Sequence, residues 1–369
     1  MNLDELSVVS LWSAMAVYAL AFIAFALDLA KRSAEVSAYA DEQAAQASAA
    51  GAATAAAQTG QIAQTTPAAR TAQSARATTA GSLRATSASA RATPASATAT
   101  IERVDEDDSD VTPQRSVTLR IGVALTVIGF LLHATADVTR GISAGRVPWA
   151  NMYEFAMTGT LLIVMVFLIV IAKTDVRFLG TFVTGLVLIL LGVSSVNYYV
   201  SVVPLPPPLQ SAWLIIHVFV ASLGTAFFGL GFALSVVQLL QHRREIAALD
   251  LQRLRLKFLA TLPSSERLEN MAYRVNIVGF IFWTFTLMAG SIWAQSAWGR
   301  YWGWDTKEVW TFIIWVIYAG YLHARSTRGW RGSPSAWLAI VGFSAVMFNF
   351  TIVNIFFKGL HSYSGLPLG

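Results

Sequence analysis

The sequence has no cysteine among its 369 residues. It therefore has no thiol–disulfide chemistry of its own and no thiolate to offer a metal. Charge is also scarce: Asp, Glu, Lys and Arg make up 13% of the residues, against 55% hydrophobic and a mean hydropathy of +0.54. That balance excludes an ordinary soluble domain and fits a polytopic membrane protein. The net charge is +5, but the basic residues fall in short loops between apolar runs. There they report orientation and give no sign of nucleic-acid binding. Histidine is limited to five positions, His133, His217, His242, His323 and His361, on which any metal chemistry must rest. The first apolar run has no basic region ahead of it and no small-residue cleavage site, so it is expected to be a retained span, not a signal peptide.

That first span covers Leu6 to Ala30 and is followed by Lys31 and Arg32. Residues 33–116 then turn to Ala, Ser, Thr and Gln, with almost no large apolar side chain before Val117. Such a composition cannot bury enough surface to offset chain entropy, so a long disordered cytoplasmic linker without chemistry is expected. Ala44 to Ala57 is its most helix-prone part. Seven further apolar runs follow, at about 117–138, 151–172, 177–196, 212–241, 272–293, 309–325 and 335–357. Each is long enough to cross a core of ~30 Å. The expectation is an all-α polytopic membrane helix bundle of about eight spans. It divides into a first helix (1–32), the linker (33–116) and a seven-helix domain (117–369). Lys31/Arg32, Lys173/Arg177, the Arg243 to Lys257 segment and Arg325/Arg328/Arg331 lie on alternate loops, which should be cytoplasmic. Both termini and the loops around 197–211 and 294–308 are then external. Arg140, Arg146 and Arg300 fall on the outside against this rule. An anionic ligand such as a propionate is one reason for that, and harmless surface positions are the other. Arg243 to Met271 reads as a basic amphipathic helix pair lying against lipid head groups.

Five of the 12 tryptophans stand in one stretch, Trp293-Ala-Gln-Ser-Ala-Trp-Gly-Arg-Tyr-Trp-Gly-Trp-Asp-Thr-Lys-Glu-Val-Trp310. An interfacial aromatic belt is one account of it. A belt, however, is spread over all helix ends, whereas this is a single loop, and Gly299 and Gly303 would let rings and backbone approach a flat surface. Asp305 with Glu308 also reads as a helix N-cap of the capping-box kind. A flat apolar ligand with acidic edges suits such a loop, and haem is one: a planar macrocycle with two propionates and an iron that takes imidazole. His217 falls about one turn into the outer end of the fifth span, and His361 lies just beyond the eighth. Both flank the tryptophan loop and are placed to act as paired axial ligands. His323 lies ~20 Å from the outer start of its helix at 1.5 Å per residue, so it cannot reach the same iron. It suits a second, inner haem position. His242 sits beside two arginines at the cytoplasmic interface. Asn151 is expected to cap the third span, with Glu154 supporting the first turn.

Taken together these elements resemble a known family. The Trp298-Gly-Arg-Tyr-Trp-Gly-Trp-Asp305 core is similar to the "WWD" signature of haem-handling membrane proteins. With Pro148-Trp-Ala-Asn-Met-Tyr-Glu154, Trp213-Leu-Ile-Ile-His217, Tyr321-Leu-His323 and Gly359-Leu-His-Ser-Tyr363 it resembles the CcsA/ResC family (CcsB in some lineages) of system II cytochrome c biogenesis. The resemblance runs over about 118–365, and the long linker departs from it. It implies a plasma-membrane protein that binds haem b and presents it at an external site beneath the WWD loop. There the haem would be joined to the Cys-x-x-Cys-His thiols of an apocytochrome c, as the haem-binding subunit of a cytochrome c synthase. It implies that Trp298, Gly299, Arg300, Tyr301, Trp302, Trp304 and Asp305 contact haem, that His217 and His361 are its outer axial ligands, and that His323 is a transmembrane ligand. It implies a ResB/Ccs1-type membrane subunit and, indirectly, a thioredoxin-like reductant as partners. His133 receives no role. A haem exporter without ligation activity, and a tryptophan-lined docking surface without haem, remain as alternatives.

Overall fold

A computed structural model describes residues 2–63, 116–202, 210–249, 257–327, 329–357 and 359–361, and among them every regular element is helical. They fall into two units, one holding residues 2–38 and 116–361 and the other residues 39–63. The first helix, α1, spans Leu3–Ala63 and so continues past the boundary expected at residue 32. Residues 33–63 fall in the expected linker, of which Ala44 to Ala57 was the most helix-prone part, and in the structure they belong to α1. The reason is backbone preference: this segment is largely Ala, Gln and Glu, strong helix formers that need no apolar face. The rest of the expected linker, residues 64–115, lies outside the described residues.

The other helices follow the apolar runs. They are α2 (Val117–Ala144), α3 (Met152–Lys173), α4 (Gly180–Asn197), α5 (Ala212–Leu249) and α6 (Ser265–Trp298). Then come α7 (Thr306–Ser326), α8 (Ser333–Phe348) and the short α9 (Asn354–Phe356), the last two joined by a π-helical turn over Asn349–Val353. The expected basic amphipathic pair is described only at its edges, in the end of α5 and from residue 257 onward. Seven described helices are long and apolar enough to cross a membrane, one fewer than expected. The helix that differs is α7. At 21 residues it is about 31 Å long, which is enough to span. Its sequence, however, mixes Val, Phe and Ile with Trp and Tyr, which score as weakly polar, and its last turn carries His323 and Arg325. The whole is a polytopic helical membrane bundle.

α5 and α6 form its most extensive pair. Gly279 on α6 lets Phe228 of α5 come so close that a methyl group there would meet the ring at 2.8 Å. Small residues at such points let helices pack where no hydrophobic effect drives them together. Toward α7 and α8 the core is aromatic, with Phe228, Trp283, Tyr318, Tyr321 and Phe343.

Arg140 and Arg146 are neither surface residues nor free to meet a ligand. Glu154, fully buried on α3, accepts from Arg140 Nε at 3.1 Å and from Arg146 Nη1 at 2.6 Å. It also accepts from the Ala150 N–H at 3.0 Å. Arg140 goes on to Asp4 of α1 at 2.6 Å and to the Val200 carbonyl at 2.6 Å. One carboxylate thus ties α1, α2, α3 and the segment after α4 together. The opposite charges cancel within the fold, and this accounts for arginines at this end of the bundle. Asn151 caps α3 as expected, its Oδ1 accepting from the Glu154 N–H at 2.9 Å.

Candidate functional site

His217 lies in the second turn of α5 and leans on α6. Its Nδ1 donates to the Thr286 carbonyl at 3.1 Å. A carbonyl can only accept, so the proton sits on Nδ1 and the lone pair on Nε2. Gly290 makes this approach possible: a Cβ there would stand 2.7 Å from His217 Cε1. The imidazole stacks on Trp293 with centroids 5.7 Å apart and planes 16° from parallel.

His361 approaches the same indole edge-on, at 5.4 Å, and meets Trp298 at 4.8 Å. Its Nδ1 is 2.7 Å from Asp305 Oδ2, and Asp305 Oδ1 accepts from the Leu360 N–H at 3.1 Å. The hydrogen bond from His361 holds the Asp305 carboxyl below the usual carboxylate range, against the opposing pull of partial burial. Both histidines therefore have Nδ1 committed and Nε2 available, the arrangement by which a second partner fixes the tautomer of a metal-binding imidazole. Trp293, almost fully buried, is the surface they share.

The loop between α6 and α7 is ordered by its own acidic residues. Asp305 and Glu308 form the capping box of α7, as the sequence predicts. The Glu308 carboxylate also accepts from the Gly303 N–H at 2.8 Å and the Asp305 N–H at 3.0 Å. The two glycines act differently from expectation. Gly299 is the left-handed C-cap of α6, at φ 72°. At Gly303 the Arg300 guanidinium occupies the place a Cβ would take.

His217 and His361 open on a cavity of about 240 Å³, many times the roughly 10–15 Å³ that a single water needs. Its walls are mostly apolar, from α3, α5, α6 and α8, and Tyr301 and Trp302 of the loop reach it. The remaining expected residues take other positions. Trp298 and Asp305 act through His361, and Arg300 lies over Gly303. Gly299 ends α6, and Trp304, with φ 59° and 76% exposed, packs edge-on against Trp302. His323 is exposed in the last turn of α7, 18 residues beyond Asp305 and so about 27 Å along the helix axis. It is not part of this cavity.

Among the lining residues outside the expected set are four polar ones, Lys307, Asn349, Asn354 and Asn151. The signal for two of them was present, since Asn349 and Asn354 are amides inside an otherwise apolar run. His133 is fully buried on α2, with Nδ1 3.4 Å from the Tyr18 hydroxyl, away from the cavity.

The chain is similar to several known proteins. The family model "Cytochrome C assembly protein" matches residues 149–361, which run from the edge of the capped α3 to His361. "Cytochrome c biogenesis protein CcsA" of Guillardia theta is 33% identical over 261 residues, covering 67% of this chain and 86% of that protein. The protein of the same name from Trieres chinensis is 32% identical over 272 residues, covering 67% and 87%. A solved structure, "Cytochrome c Heme Lyase CcmF", aligns over 66% of this chain and 42% of its own, with a TM-score of 0.48 and 18% identity. The chain belongs to the cytochrome c assembly protein family and is of the CcsA type.

Proposed function

We propose that this protein serves cytochrome c biogenesis by holding haem b in the cavity, where His217 and His361 would hold the iron. The observation that carries the reading is the pairing of two imidazoles on one indole, each with Nδ1 committed and Nε2 available, at the mouth of an apolar cavity. The residues fit the group. A bis-imidazole site needs neutral rings held in one tautomer, and the Thr286 carbonyl and Asp305 carboxylate do that here. Bound there, haem supplies two vinyl groups, across which the thiols of an apocytochrome Cys-x-x-Cys-His add to form thioethers. The chain's own part is proximity and orientation, with no covalent nucleophile required.

Trp293, Trp298 and Trp302 exclude water beside the ligands, and the Glu308-ordered loop keeps Tyr301 and Trp302 at the cavity edge. The loop faces the outside of the plasma membrane, with both termini on that side. His323, exposed at the other end of α7, contributes one ligand to an inner haem position. A ResB/Ccs1-type subunit completes that position, and a thioredoxin-like reductant keeps the substrate thiols reduced. In this arrangement the chain is the haem-binding subunit of a cytochrome c synthase.

The test is the absorption spectrum of the purified chain, alone and with its companion subunit. A bis-imidazole haem spectrum that is lost in His217→Ala and in His361→Ala, and kept in His323→Ala, is the expected result. Absence of haem from every preparation would leave the tryptophan loop a docking surface.

A further inference from the structure

The cavity has a polar wall that iron ligation does not use. Lys307, in the first turn of α7, lines it, and its Nζ donates to Asn354 Oδ1 at 2.9 Å. No carboxylate among the described residues forms an ion pair with it. Asp305 acts on it only through space, being committed to His361 and the Leu360 N–H. Asn354 in turn gives its Nδ2 to Met152 Sδ at 2.7 Å, next to Asn151. Asn151 spends Oδ1 on capping α3, which fixes the amide's orientation, and its Nδ2 is buried without a partner. Asn349 donates Nδ2 to Thr311 Oγ1 at 3.4 Å and leaves Oδ1 buried without a partner. Both amides are only 5% exposed, and both line the cavity.

Buried polar atoms without partners are rare because each one carries an uncompensated desolvation cost. An ammonium in an apolar cavity without a counter-charge is costlier still. Here an ammonium and an orphaned amide N–H lie along one wall, linked through Asn354 and Met152. A neutral apolar occupant would leave both unanswered. A group with negative charge and two acceptor oxygens answers both, one oxygen to Lys307 and the other to Asn151 Nδ2. The orphaned Asn349 Oδ1 can accept from a water on the same group.

We infer that Lys307, Asn151 and the Asn349–Asn354 turn form a carboxylate-binding subsite, which takes a propionate of the haem held by His217 and His361. The inference rests on the haem reading above and goes beyond it by setting the macrocycle's orientation. A propionate seated on this wall turns the vinyl-bearing edge of the ring away from it, so Lys307 is a positioning residue for the edge that reacts.

The test compares ferric haem with its dimethyl ester, in which both carboxylates are blocked, by Soret titration of the full chain in detergent micelles. The wild type is expected to bind the diacid at least about tenfold more tightly, a difference of ~1.4 kcal/mol. In Lys307→Met the ratio should fall to about one while the bis-imidazole spectrum persists, and Lys307→Arg should restore most of the preference. Equal binding of the two porphyrins by the wild type overturns the inference, and this arm needs no substitution to fold. An unchanged ratio in Lys307→Met overturns it as well. A chain whose spectrum with either porphyrin ignores His217→Ala and His361→Ala has lost the haem reading itself, and this subsite with it.

Discussion

Two polar islands stand at the same end of the bundle, and they are finished in opposite ways. Around Glu154 every charge is answered from within: one carboxylate, two guanidiniums, Asp4 and a main-chain carbonyl close on each other. Around Trp293 the polar groups are answered on one side only. Each imidazole has one nitrogen bound, two amides have one atom bound, and the lysine has an amide but no counter-ion. The first island has its charges paired within the fold and works as a clamp. The second offers what it has left to whatever enters the cavity. Polar content and burial alone do not separate the two; the pairing of the charges does.

The sharpest test of the difference is to break the clamp. Glu154→Ala leaves two buried guanidiniums without their carboxylate and should cost about 3–5 kcal/mol, seen as a large fall in the thermal midpoint of the purified chain. If it left stability intact and abolished haem binding instead, the two islands would have to exchange roles. Gly290→Ala should cost less, about 1–3 kcal/mol from overpacking, because only the His217 ring must move. Under the proposed function its spectral effect should be disproportionate, since that ring would hold the iron; a normal bis-imidazole spectrum in this variant would count against His217.

Asp305→Asn should leave the fold in place and weaken haem retention by roughly 10–100-fold, the usual effect of removing a partner behind a ligating histidine. The same position has a pH signature. The folded-state carboxyl is depressed, so its stabilisation is present above the ordinary value near 4 and is lost as pH falls through the folded value. Acid unfolding monitored by circular dichroism should therefore be less steep in the Asn variant. Smallest of all, His323→Ala should not change the spectrum of the outer site, because that side chain lies at the far end of α7.

Much of this could be read before the fold was known. Seven apolar runs became the expected helices because length and hydropathy fix a membrane span almost alone. α7 also followed its pattern, although its Trp and Tyr residues lower its hydropathy. His217 and His361 could be placed together because each stands at the end of an apolar run on the same side of the bundle, where topology does the work of tertiary structure. Arg140 and Arg146 could not be interpreted, since their partner Glu154 comes from the next helix and pairing across helices leaves no trace in local composition. Lys307 was hidden for a related reason. It sits inside a capping motif that already explains an acidic and basic cluster, and only the fold turns it toward the cavity. The continuation of α1 through residue 63 was missed because absence of an apolar face was taken as absence of structure, whereas alanine and glutamine hold a helix by backbone preference.

The π-helical turn at Asn349–Val353 also acts as an angular offset. An α-helix advances about 100° per residue, and a wide turn absorbs one residue without advancing the axis to match. Everything downstream is therefore rephased relative to α8, including Asn354 and the approach of the chain to His361. Deleting a single residue within this turn would shorten the protein by under 2 Å along the helix, yet it would rotate the amide that holds Lys307 off the cavity by roughly a quarter of a circle. The reach of Asn354 to Lys307 is thus set by a residue count in the turn that follows α8.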